Sequence, residues 1–96
     1  MKKHGRTDAN QQEIVGFLRA IPGITVVSLA SVGGGVPDLL VGYRKRNYIF
    51  EIKDPDKPPS QRKLTKAQKE FHATWRGQVS VAETFGEILN HMKGDD

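Results

Sequence analysis

Two short apolar segments, Asp38-Leu39-Leu40-Val41-Gly42-Tyr43 and Asn47-Tyr48-Ile49-Phe50-Glu51-Ile52-Lys53, are separated only by Arg44-Lys45-Arg46. Segments this close pair most simply as an antiparallel hairpin with a basic tip. Alternation along the second segment places Tyr48, Phe50 and Ile52 on one face and Ile49, Glu51 and Lys53 on the other. The rest of the chain has to be arranged around that hairpin.

Ahead of it, Asn10-Gln11-Gln12-Glu13 reads as a helix start, with Asn10 accepting from first-turn amides and Glu13 reaching back. The helix that follows places Ile14, Phe17, Leu18 and Ile21 at helical spacing, as a buried stripe, and ends at Pro22-Gly23. Ile24 to Leu29 is β-branched and reads as a strand, leading into the loop Gly33-Gly34-Gly35, where positive φ is freely available. After the hairpin, the prolines of Asp54 to Ser60 cannot continue a strand and suit a surface loop. Thr65-Lys66-Ala67-Gln68 matches a capping box, and Leu64, Gln68, Phe71 and Trp75 share one helical stripe, which places Phe71 and Trp75 in the core. Gln78 to Ala82 reads as a last strand and Glu83 to Met92 as a last helix carrying Phe85, Ile88 and Leu89. The expected order is α-β-β-β-α-β-α, an α/β fold with a central mixed sheet flanked by helices.

The chain has 96 residues, enough for one modest core, so residues 1–96 are read as a single domain with residues 1–7 as a flexible tail. The mean hydropathy is −0.53 and no apolar run approaches the ~18 residues of a spanning helix, which argues against a membrane protein. The basic start is followed by polar residues rather than an apolar segment, so it is not a signal peptide, and a cytoplasmic location is expected. With no cysteine, neither disulfides nor a thiolate zinc site hold the fold.

The formal charge is +4. Arg44, Lys45 and Arg46 form one basic cluster, and Lys53, Lys57, Arg62, Lys63, Lys66 and Lys69 another, so one side of the molecule is expected to be cationic and to suit a polyanion such as nucleic acid. His4, His72 and His91 lack ligand spacing and read as surface residues. The triple glycine lacks the Gly-Lys-Ser/Thr ending of a phosphate-binding loop, which argues against nucleotide binding.

Glu51 and Lys53 lie two residues apart on one face of a strand otherwise built to be buried, and charges in such a place need a reason. They could pair with each other. Pairing leaves Asp38 unexplained: it opens the neighbouring strand just after Pro37, and in a hairpin it can lie beside Glu51 and Lys53. Two close carboxylates repel unless a cation lies between them, and hard oxygen ligands suit Mg²⁺ or Mn²⁺. Such an ion beside a lysine matches phosphodiester hydrolysis. Each residue also has a purely structural reading: Asp38 as a turn residue, Glu51 with Lys53 as an ion pair, Gln68 as a capping residue. Gln68 can serve both purposes.

Val36-Pro37-Asp38-Leu39-Leu40-Val41 followed by Phe50-Glu51-Ile52-Lys53 resembles the PD-(D/E)XK nuclease signature. Gly35-Val36-Pro37-Asp38, the Glu-x-Lys triplet and Leu64-Thr65-Lys66-Ala67-Gln68 together are similar to the VRR-NUC subgroup, in its small standalone phage-type form, over about Glu13 to Val81. The resemblance implies a restriction-endonuclease-like core and a Mg²⁺- or Mn²⁺-dependent endonuclease. It implies that Asp38, Glu51 and the carbonyl of Ile52 bind the metal, that Lys53 is the catalytic lysine and that Gln68 lies beside the metal. Glu13 matches an additional acidic ligand on the first helix, and the helix-cap reading explains it equally well.

The resemblance further implies a homodimer acting on branched DNA such as four-way junctions, in a bacterial or phage-infected cell. The apolar content of the last helix, Phe85, Ile88, Leu89 and Met92, also points to a dimer, with the first or last helix at the interface. Two rival readings are a non-catalytic nucleic-acid-binding module and a nuclease subunit active only with a helicase or repair-protein partner.

Overall fold

The computed structural model describes residues 9–94; the expected tail at residues 1–7 lies outside the described residues. The elements are α1 (Ala9–Arg19), β1 (Ile24–Ser28), β2 (Leu39–Tyr43), β3 (Arg46–Ile52), α2 (Lys66–Thr74), β4 (Ser80–Ala82) and α3 (Phe85–Lys93), with a one-turn 3-10 helix at Pro59–Gln61. The expected order of helices and strands is found. The four strands form one mixed sheet in the order β1-β2-β3-β4, antiparallel except for the parallel β3/β4 pair. No helix among the described residues is long and apolar enough to cross a membrane.

The hairpin closes as tightly as a hairpin can. Tyr43 pairs with Arg46, and Arg44 and Lys45 take φ of 53° and 69°. Positive φ at both central residues is the type I′ geometry, whose twist matches that of the strands. Side chains other than glycine are held in that conformation against an unfavourable ~1–2 kcal/mol each. The Arg44 guanidinium lies over the Tyr43 ring, 5.2 Å from its centroid.

One face of the sheet carries the core: Ile24 and Val26, Leu39 and Val41, Tyr48, Phe50 and Ile52, and Ala82, all buried beneath Ile14 and Leu18 of α1 and Ile88 and Met92 of α3. Strand alternation therefore sends Glu51 to the opposite face, as the sequence implies. That face meets α2, through Gln68.

Several expectations are corrected here. Phe17 is 49% exposed and Trp75 is 49% exposed, although both fall on apolar stripes. The buried stripe of α1 is narrow, and Phe17 sits at its margin, tilted against Phe85 with ring centroids 5.3 Å apart. Trp75 follows the last turn of α2 as its C-cap, where the backbone is already extended and no longer directs side chains along the helical stripe. Asn10 lies inside α1 rather than capping it, and its amide donates to the carbonyls of Lys53 at 2.9 Å and Glu83 at 3.3 Å, which ties α1 to the ends of β3 and β4. The last strand covers only Ser80–Ala82. Its expected first residue, Gln78, substitutes its side chain for strand pairing, accepting from the Ile49 N–H at 2.7 Å and donating to the Ile49 carbonyl at 2.9 Å. The apolar residues of α3 do not form a spare surface: Ile88 and Met92 are in the core, and Phe85 and Leu89 pack against it.

Candidate functional site

The site is assembled at the end of the hairpin farthest from its basic tip. Leu39 pairs with Phe50, so Asp38 arrives at the level of Glu51 just as the β2 register ends. Three backbone-directed bonds pin it there. Its N–H donates to the Phe50 carbonyl at 3.0 Å, its carbonyl accepts from the Leu29 N–H at 2.7 Å, and its Oδ2 accepts from the Ile52 N–H at 2.8 Å. The preceding Pro37 is buried and fixes the approach. In an extended strand the N–H and C=O of one residue project from the same edge, so the Ile52 carbonyl also faces the Asp38 side.

Glu51 is 2% exposed, and its two oxygens are treated differently. Oε2 accepts from Gln68 Nε2 at 3.2 Å and lies 3.9 Å from Lys53 Nζ. Oε1 is buried with no donor. Burial, then the hydrogen bond and the charge of Asp38, push the Glu51 carboxyl up to about 8, against the opposing pull of Lys53. With no cation between it and Asp38, the buried Glu51 carboxyl is thus pushed toward its protonated form.

Gln68 organises the other side. Its Oε1 accepts from Lys53 Nζ at 3.0 Å and from the Thr65 N–H at 2.9 Å, while its own N–H donates to Thr65 Oγ1 at 3.2 Å. The capping box and the site contact are therefore one arrangement: the bond that starts α2 also fixes the amide that spans Glu51 and Lys53. Gly35 makes this placement possible. It has φ +83°, and a Cβ there would fall on the Ala67 carbonyl and within 3.0 Å of the Gln68 N, so the loop before Pro37 lies directly against the first turn of α2.

The structure brings together Asp38, Glu51, Ile52, Lys53 and Gln68. It does not bring Glu13 to them. α1 packs through Ile14 and Leu18 on the sheet face opposite the one bearing Glu51, and Glu13 instead lines a cavity with Asn10, Pro55, Asp56 and Glu83. Among the described residues no three His, Asp or Glu converge as a metal set. Two carboxylates and a carbonyl are nonetheless a donor set of the kind that holds Mg²⁺ with several of its waters.

His72, read from sequence as a surface residue, belongs beside this site. It is half-buried, its Nε2 has no partner, and burial together with the Lys53 charge pushes its imidazole below the usual 6.5. The signal that could have found it is its spacing, four residues after Gln68 on α2.

The basic residues are spread over the surface. Arg44, Lys45 and Arg46 are exposed at the hairpin tip, and at ~3.3 Å per residue the length of β3 separates them from the carboxylates by roughly 20 Å. Lys57 and Lys63 are exposed around the 3-10 helix, and Lys66 opens α2. Arg62 is half-buried, its Nη1 3.4 Å from Glu83 Oε2, and so ties the segment after β3 to the start of α3. Comparison of the chain with family models, with curated proteins and with solved structures finds no match.

Proposed function

We propose that this chain is a Mg²⁺- or Mn²⁺-dependent DNA endonuclease with a restriction-endonuclease-like core of the VRR-NUC type, acting on branched DNA such as four-way junctions. The observation that carries the reading is Glu51: a carboxylate 2% exposed, set against Asp38, with one oxygen lacking any donor. Burying a carboxyl group with an orphaned oxygen is unfavourable, and a purely structural glutamate would be expected to satisfy both oxygens.

Asp38, Glu51 and the carbonyl of Ile52 would hold the cation. When bound, it supplies Lewis-acid polarisation of the phosphodiester and lowers the pKa of a bound water. Lys53 is the chain's own contribution to the chemistry. Its ammonium, held by Gln68 Oε1, offsets the negative charge that accumulates on the scissile phosphate and orients the attacking water. Gln68 keeps Lys53 from collapsing fully onto Glu51, since the Nζ lies 3.0 Å from the amide oxygen and 3.9 Å from the carboxylate. Resolving a four-way junction takes two symmetric incisions, which a homodimer would supply. Its interface would not be the apolar face of α3, which the core already uses.

The test is cleavage of linear duplex, single-stranded, flap and four-way junction DNA with Mg²⁺, Mn²⁺ or EDTA, by the native chain and by Lys53→Ala. The native chain is expected to cut only with metal and to favour the junction. Lys53→Ala is expected to be at least ~100-fold slower while still binding Mn²⁺ in calorimetry. Undiminished cleavage in EDTA, or no cleavage of any substrate by the native chain, overturns the reading.

A further inference from the structure

The sheet face that carries Glu51 also carries, two residues earlier on β3, Ile49, and beside it on β2 its pairing partner Leu40. Together with Asn47, Trp75, Gly77 and Gln78 these residues line a cavity of about 230 Å³. That is room for roughly eight waters by their share of liquid volume, the scale of one planar ring system rather than of a duplex. Its floor is apolar. Trp75 forms its wall, stacked on Phe71 with centroids 4.9 Å apart and an interplanar angle of 18°, so that Phe71 braces one side of the indole while about half the residue remains exposed. Gly77 leaves room for this ring: a Cβ there would come within 2.9 Å of the indole Nε1.

We infer that this slot takes a single unpaired nucleobase, stacked on Trp75, of a strand whose backbone runs from the basic hairpin tip toward the carboxylates. The inference rests on the proposal above that the substrate is DNA, and it narrows the substrate class to DNA with an unpaired or unstackable base near the cut. Four observations converge on that occupant. A braced, half-exposed tryptophan is the kind of platform on which bases stack without regard to sequence. The slot lies between exposed Arg44, Lys45 and Arg46 at one end of β3 and Lys53 at the other, so a polyanion laid along the strand passes over it. Ile49 and Glu51 are about 7 Å apart along the strand, so a base in the slot lies close to a phosphate at the carboxylates. Asn47, at the slot's edge, carries an amide donor and acceptor for a base edge.

Trp75 is the sole tryptophan of the chain, so its emission reports on the slot alone. The experiment titrates the native chain, in EDTA so that no strand is cut, with a fluorescein-labelled oligothymidylate, with an abasic strand of equal length and with a blunt duplex. Indole emission and label anisotropy are both followed. Oligothymidylate is expected to bind and quench Trp75, and the abasic strand and the duplex are expected to leave its emission unchanged. Trp75→Ala is expected to weaken oligothymidylate binding about 5- to 100-fold with duplex binding unchanged, and Trp75→Phe to restore most of it. Binding of oligothymidylate without quenching, equal quenching by the abasic strand, no binding of oligothymidylate, or an unchanged affinity of a folded Trp75→Ala overturns the slot. Quenching by the native chain decides the question even if the variant does not fold. Quenching without metal-dependent cleavage in the separate assay leaves the slot standing and removes only the nuclease reading.

Discussion

Replacing Glu51 with glutamine is expected to make the metal-free protein more stable while it removes cation binding. The carboxyl is displaced from 4.5 to about 8, so the folded chain holds a proton that the unfolded chain has already released. With the folded value the higher of the two, the unfolded state binds fewer protons between these limits, and stability falls as pH rises. The group's stabilising contribution is complete below pH 4.5, declines through the neutral range and levels off once pH passes about 8. At 1.36 kcal/mol per pH unit, the loss at pH 7 is about 3 kcal/mol, a sizeable part of the ~5–15 kcal/mol that holds a small domain together. Glutamine does not titrate. It retains an oxygen for Gln68 Nε2 and presents an amide donor toward Asp38, and Lys53 keeps its bond to Gln68. The assay is urea unfolding of both proteins in EDTA from pH 5 to 9. Glu51→Gln is expected to gain about 3–4 kcal/mol on the native chain between pH 5 and 8. His72, whose lowered imidazole makes the fold more stable as pH rises, contributes to both proteins and cancels in the difference. Mn²⁺ is expected to restore the native chain at pH 8 and leave the variant unchanged. A difference that is flat with pH, or a variant less stable than the native chain at pH 8, refutes the account of Glu51 as a strained carboxylate held ready for a cation.

Two further substitutions probe how the site is positioned. Gly35→Ala combines a left-handed backbone with a collision against the Ala67 carbonyl, so it is expected to destabilise the fold by more than ~2 kcal/mol and to abolish cleavage by displacing Gln68; Gly34→Ala, with open space around it, is expected to cost only about 1 kcal/mol in the same unfolding assay. Gln78→Ala strips the Ile49 N–H and carbonyl of their partners and is expected to destabilise by about 2 kcal/mol in urea unfolding, and an unchanged midpoint would show that water replaces the amide there.

The local chemistry of the site was readable from the chain alone. The period of two along β3 placed Glu51 and Lys53 away from the core, the spacing of the two apolar segments set the hairpin, and Thr65 with Gln68 announced the start of α2. Each of these depends on residues within a few positions of one another, where sterics and hydrogen-bonding distance leave few alternatives. Asp38 was also within reach, because a hairpin of that length returns its first residue to the level of Glu51.

What tertiary structure alone decided is which element covers which face. The single-sequence pattern assigned Phe17 and Trp75 to the core because it records periodicity and not the width of the partner surface. The family resemblance offered Glu13 as a further ligand, with a helix-cap role as the equal alternative, whereas α1 packs on the other side of the sheet from Glu51. The single-sequence pattern left His72 on the surface, since its closeness to Lys53 exists only once α2 is laid across the end of β3. That placement depends on Gly35 meeting the backbone of Ala67, thirty-two residues away in the chain. Such a contact follows from loop closure and from the absence of a side chain at one position, and neither leaves a periodic trace in the sequence.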